Sequence, residues 1–182
     1  MPAVVELSKD RIVKVAVKMV NEKGWDSINA RSLAASLGVS TKPLYRIYSN
    51  MDEIKEDIYK EISHQYDEFL TSRIDSKKAL LTLCIAYVEF EYKNLFISLF
   101  LSNNLKWKTI ENVLDEKWNQ GAIINLVNKH GYSFEEAKNL FMNMWLYANG
   151  LATLIATNEI KIEEQEILVK LVKFYKILVK GE

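Results

Sequence analysis

The chain has little of what cross-links or punctuates a fold. One cysteine, Cys84, stands among its 182 residues, so no intramolecular disulfide can form, and its apolar neighbours place it inside as a small hydrophobe rather than in redox chemistry. Prolines number two, Pro2 and Pro43, and glycines six. No stretch alternates apolar and polar residues between turn dipeptides, which argues against sheet and predicts an all-α fold. Long hydrophobic runs are missing as well. The uncharged apolar run from Leu95 to Leu105 is interrupted by Ser and Asn and is too short for a bilayer, and the opening MPAVVELSKDR has no basic stretch followed by an apolar one. The expectation is a cytoplasmic protein that does not enter a membrane. No glycine-rich phosphate loop, zinc-type Cys/His set or nucleophile elbow occurs. Glu61 and His64 have the Glu-x-x-His spacing of a di-iron bundle, but His130, the second of two histidines, is preceded at three residues by Val127. The other half of such a site is absent, so neither a metal nor a cofactor is expected.

What is present is an apolar fraction of 49%, enough for a core in a chain of this length, and a charge balance that is even only on average. Residues 1–50 carry eight bases, Lys9, Arg11, Lys14, Lys18, Lys23, Arg31, Lys42 and Arg46, against Glu6, Asp10, Glu22 and Asp26. The remainder carries sixteen bases against twenty acids. A basic end on an acidic body fits a polyanion-binding module joined to a separate scaffold.

Helix signals divide the basic end into three. Ser8 is a good N-cap with Asp10 in the first turn, Ile12, Val15, Ala16, Met19 and Val20 follow at the spacing of one buried face, and Gly24 closes the segment. A short second helix opens after Asn29 and turns Leu33, Ala34 and Leu37 inward before Gly38. A third opens at Ser40 or Thr41 and runs to about Tyr48. With Ser40 as the cap, Pro43 is the third helical residue, where its missing N–H has no intrahelical acceptor, so the proline marks a helix start and not a break. Leu44 and Tyr48 then point inward at i, i+4, and Thr41, Lys42, Tyr45 and Arg46 face out with donors suited to phosphates and base edges. The run ARSLAASLGVSTKPLYRIY has small Ala34 for close packing, Gly38 for the turn and Leu44 beyond it, which is helix-turn-helix spacing.

The segment NARSLAASLGVSTKPLYRIYSNMDEI resembles the DNA-binding part of TetR/AcrR-family bacterial transcriptional regulators. In that resemblance Asn29 caps the second helix, Leu33 and Ala34 are its packing pair, Gly38, Val39 and Ser40 form the turn, Tyr45 contacts phosphate and Tyr48 replaces a buried phenylalanine. Two positions depart from the pattern: Ile47 stands where a histidine or aromatic often touches the backbone, and Met51 where a lysine commonly starts the fourth helix. The DNA-binding set is then Asn29, Arg31, Ser40, Thr41, Lys42, Pro43, Tyr45 and Arg46, in a domain of residues 1–50.

Residues 51–182 read as a helical bundle. Asn50 caps a fourth helix with Asp52 and Glu53 in its first turn, running to about Ser72 through Ile54, Ile58, Ile62 and Phe69. KKALLTLCIAYVEFEYKNLFISLFLS gives one or two largely buried helices, WKTIENVLDEKWNQGAIINLVNKHG a pair around Gly121, and SFEEAKNLFMNMWLYANGLATLIATN a helix opened by a Ser133–Glu136 capping box. The last helix places Ile167, Leu168, Leu171, Phe174, Tyr175 and Leu178 on one face with lysines opposite. That face suits a dimer seam better than an anionic membrane. YVEFEYKNLFISLF and MWLYANGLATL are similar to the ligand-domain helices of TetR-type regulators, with Asn149 where a histidine is common.

From these readings comes a homodimeric, ligand-responsive repressor. Such a protein is expected to bind a palindromic double-stranded DNA operator and to be released by a small apolar or amphipathic effector. Tyr87, Phe90, Phe100, Trp118, Phe141, Trp145 and Asn149 are the effector candidates, and Leu171, Phe174, Tyr175 and Leu178 the dimer interface. Aromatics at helical spacing also read as plain core, as do Phe96 and Trp107, and Asn149 fits an orienting group or a satisfied amide equally. No catalytic constellation suggests an enzyme. The alternative is a helical-bundle enzyme or small-molecule carrier whose first fifty residues are only structural.

Overall fold

The computed structural model describes residues 7–94, 97, 110–157 and 160–179, and among these it is helical with no strand. Helix α1 spans Lys9–Lys23 because Ser8 caps it, its side chain accepting the Arg11 N–H at 3.2 Å, and Gly24 at φ 79° ends it. Two rows face inward, Ile12, Ala16 and Met19 beside Val13, Val17 and Val20. Val15, expected in the core, is left half-buried at the edge of that stripe. A 3-10 turn, Trp25–Ser27, leads to α2 (Ala30–Leu37), and α3 (Thr41–Ile47) follows; α2 packs against both α1 and α3.

Helix α4 (Met51–Thr71) starts where Asn50 Oδ1 accepts the Glu53 N–H at 2.9 Å and the Glu53 carboxylate turns back to the Ser49 N–H at 2.7 Å. Ile54, Ile58, Ile62, Tyr66 and Leu70 make a buried i, i+4 row. Phe69, expected there, is half-buried and meets Phe90 edge-on at 5.2 Å, with the Arg73 guanidinium over its ring.

Contacts gather into two compact units, one of residues up to Tyr66 with Asn94–Asn103, the other of Asp67–Lys93 with Asn104–Glu182. The first unit holds α1–α3 and α4 as far as Tyr66. In the second, α5 (Ala79–Lys93) packs against α7 (Lys117–His130), α8 (Phe134–Ala156) and α9 (Glu164–Leu178). A helix covered on several sides must be apolar nearly all round, and Leu80, Leu81, Leu83, Cys84, Ala86, Val88 and Phe90 are all buried. Burial pushes the Cys84 thiol up to about 12. Beyond Lys93, the expected continuation of the buried aromatic run lies outside the described residues except for Ile97, which is helical and buried.

A short α6 (Ile110–Leu114) precedes α7. The break between them falls at Asp115 and Glu116, with Glu116 extended at φ −63°, ψ 136°, and α7 runs through Gly121, where the sequence had suggested the interruption. A helical glycine costs up to about 1 kcal/mol relative to alanine, which neighbouring turns can absorb without a break. The capping box of α8 forms as expected: Ser133 Oγ accepts the Glu136 N–H at 3.3 Å and Glu136 Oε2 accepts the Ser133 N–H at 2.9 Å. The Ser133 hydroxyl, donating to Glu136 Oε2 at 2.7 Å, and after it the Ser133 N–H hold the Glu136 carboxyl below the usual range. No described helix is long and apolar enough to cross a membrane.

Candidate nucleic-acid interface

The outward residues of α3 are held by a tightly determined turn. Asn29 Oδ1 accepts the N–H groups of Arg31 at 3.1 Å and Ser32 at 3.0 Å, and Ser32 Oγ accepts the Asn29 N–H at 3.2 Å, which closes the start of α2 reciprocally. At its other end Gly38 is left-handed at φ 72°; its N–H reaches Ala35 O at 3.1 Å and the Val39 N–H reaches Ala34 O at 3.0 Å. This Schellman pair closes α2 and redirects the chain within two residues. Ser40 then stands extended before α3 without a side-chain capping bond, and Pro43 occupies the third helical position. Leu44 and Tyr48 are buried, while Lys42, Tyr45 and Arg46 are exposed and Thr41 and Pro43 half-buried.

The charges of this unit sort by partner. On α1, Lys9 pairs with Asp57 at 3.7 Å, Lys14 with Asp10 at 3.0 Å and Lys18 with Glu22 at 3.7 Å, while Lys23 has no ion-pair partner among the described residues. Arg31, Lys42 and Arg46 have no ion-pair partner among the described residues, and the Ser40, Thr41 and Tyr45 hydroxyls donate no hydrogen bond there. One reason is legible in the sequence: between Asp26 and Asp52 there are three bases and no acid. Uncompensated guanidinium and ammonium groups beside exposed hydroxyls form a surface complementary to phosphate.

A joint not foreseen from sequence lies behind α3. Tyr48 donates its hydroxyl to Asp57 Oδ2 at 3.0 Å, the Lys9 ammonium sits 4.5 Å from the Tyr48 ring centroid, and Lys60 approaches Asp57 Oδ1 at 3.8 Å. Asp57 therefore ties the ends of α1 and α3 to α4. Desolvation first, and the Asp57 carboxylate second, raise the Tyr48 hydroxyl well above its ordinary value, so it stays a donor.

The second unit brings some of the other candidate residues together and buries others. Tyr87 on α5 donates to Asn149 Oδ1 on α8 at 2.8 Å, and both are half-buried. Burial, then the nearby Glu91 carboxylate, raises the Tyr87 hydroxyl. Glu91 is itself buried; it lies four residues beyond Tyr87, one turn along the same helix, a spacing from which it could have been found. Phe90 and Phe141 are buried, Trp118 and Trp145 half-buried, and Phe100, Phe96 and Trp107 lie outside the described residues. On α9, Leu171 and Tyr175 are buried within the single chain and Leu178 is half-buried, while Phe174 stacks on Tyr147 with centroids 4.2 Å apart. Leu171 and Tyr175 therefore hold α9 to its own bundle and are covered before any partner arrives. Leu168, expected beside them, is exposed.

Comparison of the chain with protein-family models gives no match, and comparison with curated proteins gives none either. The nucleic-acid reading accordingly rests on the residues and their geometry.

Proposed function

We propose that the chain is a DNA-binding transcriptional regulator of the TetR/AcrR type, a homodimeric repressor whose α2–turn–α3 segment is a helix-turn-helix. The observation that carries the reading is the cluster of unpaired Arg31, Lys42 and Arg46 beside the free hydroxyls of Ser40, Thr41 and Tyr45, against Lys9, Lys14 and Lys18 of α1, each of which is paired. Asn29 and Pro43 act indirectly, the first by capping α2 and the second by stiffening the start of α3. A single recognition helix offers too little surface for tight specific binding, so two copies read half-sites roughly 34–36 Å apart, one turn of duplex, or a multiple of it.

The second unit supplies dimerisation and responds to a small amphipathic effector near the Tyr87–Asn149 pair. Helix α4 belongs to the first unit through Tyr66 and ends in the second, which makes it the natural link. An effector acts only through unequal affinity for two arrangements of the molecule, and a 100-fold difference per site supplies about 2.7 kcal/mol.

Gel-shift titration against salt on random and selected duplexes tests the reading. Lys42→Ala should weaken binding to all sequences and reduce the salt slope by about one ion. Tyr45→Phe should cost about 1 kcal/mol on every sequence, whereas Arg46→Ala should relax preference at one base position, where discrimination is roughly 1–3 kcal/mol. Equal, salt-independent behaviour of wild type and all three variants would return the N-terminal unit to a purely structural role.

A further inference from the structure

The second unit has a groove of about 310 Å³ where α6 ends, α7 passes and α8 begins. None of the aromatic effector candidates among the described residues lines it. Its apolar side is Leu114, Ile123, Ile124 and Phe134, and its polar groups are Asp115, Gln120 and Lys138. Ile123 is buried, but Ile124 and Phe134 remain 50% and 56% exposed, so two large apolar side chains on neighbouring helices leave the same groove open to solvent.

Three charges could set the class of occupant, and two are already answered. The Lys138 ammonium pairs with Glu135 Oε1 at 3.1 Å and rests 5.5 Å from the Phe134 ring centroid. The first turn of α8 is closed by the Ser133–Glu136 box, so its N–H groups offer little to an anion. The Asp115 carboxylate, in the turn before α7, has no ion-pair or hydrogen-bond partner among the described residues, and neither does the Gln120 side chain. What remains is one uncompensated negative charge and a free amide beside an apolar wall.

We propose that this groove is a binding site for a small amphipathic amine, its ammonium paired with Asp115 and hydrogen-bonded to the Gln120 carbonyl oxygen, its apolar body against Ile124 and Phe134. The volume lies at the lower end of small-molecule pockets, about 300–1,000 Å³, while a protein partner would need roughly 800 Å² per side. The site stands independently of whether the chain binds DNA.

The test titrates the full chain, by heteronuclear NMR, with 4-phenylbutylamine, 4-phenylbutan-1-ol and 4-phenylbutyrate, which share a body and differ in charge. The amine should bind about fivefold more tightly than the alcohol, the upper end for a solvent-exposed ion pair, and the carboxylate least. Asp115→Asn should erase the amine's advantage and leave the alcohol unchanged, and Ile124→Ser should weaken amine and alcohol alike. Tighter binding of the carboxylate, or an amine preference that survives Asp115→Asn, overturns the proposal. So does a change of sedimentation in Ile124→Ser without a change in amine binding, because the groove would then be a contact between chains.

Discussion

Tyr48 shows what a single side chain contributes in the first unit and how far it could be foreseen. Its inward direction follows from Leu44 at i, i+4, but its partner does not, because Asp57 lies nine residues on, across a loop and on another helix. The same holds for Tyr87 and Asn149, 62 residues apart. Sequence period tells which way a side chain points, and only the packing of helices tells what it meets. Tyr48→Phe keeps the buried ring and removes the hydroxyl, so urea unfolding should show a loss of about 1 kcal/mol. Asp57→Asn combined with it should add less than Asp57→Asn alone, because the two changes remove one shared bond. Strict additivity would mean that the bond contributes nothing. Cys84 gives a second residue-scale expectation. Buried on α5 with its thiol at about 12, it should resist a thiol reagent at neutral pH and react only as the chain opens, so its labelling rate should track unfolding across a urea series. Rapid labelling of the native chain would contradict the packing of α5.

At the scale of elements, what was legible is what is local. Ser8, Asn29, Asn50 and the Ser133–Glu136 box are each settled within four residues, and each starts a helix where its spacing predicts. Gly121 misled because glycine permits a break without requiring one. Gly38 differs, since its left-handed φ of 72° is required by the turn. An added Cβ there would meet nothing within 4 Å, so Gly38→Ala isolates the backbone cost, about 1 kcal/mol, with Gly38→Asn costing less. Urea midpoints of the two variants measure it, and identical midpoints would show that the turn tolerates another conformation. The α8 box should appear in the acid limb of stability. Glu136 is held below its ordinary range in the folded chain, so its contribution is complete above the unfolded carboxyl value, about pH 4.3, and is lost as pH falls through the folded one. The melting temperature of Glu136→Gln should therefore lie below that of wild type at pH 7 and converge with it toward pH 2. A constant gap would remove the carboxylate from the account.

At the scale of the whole molecule, the proposed homodimer depends on which face of α9 is open to a second copy. Six apolar residues, Ile167, Leu168, Leu171, Phe174, Tyr175 and Leu178, make a stripe wide enough for either an internal or an external contact, and periodicity alone cannot divide it. The fold does divide it: Leu171 is 0% exposed and Leu168 44%, and Val169 and Ile177, outside that stripe, are 58% and 68% exposed. Helix α8 likewise leaves Leu146 and Leu154 open at 55% and 38%. Charge favours pairing of α9 with its own copy. Glu164 and Glu166 are paired with Lys93 and Lys170 of the same chain, which leaves Glu163 at its start and Lys173 and Lys176 toward its end, so antiparallel packing about a two-fold axis sets the acidic cap against the partner's basic end. On the proposed dimer, the wild type should sediment as a dimer that weakens as salt rises, and Ile177→Glu should give a monomer with its melting temperature little changed. Leu171→Glu should instead unfold the chain, because a charge buried without a partner is among the costliest substitutions, typically several kcal/mol. Were Ile177→Glu to remain a dimer, or the wild type to sediment as a monomer at the concentration used for DNA binding, the two-fold reading of an operator would lose its physical basis.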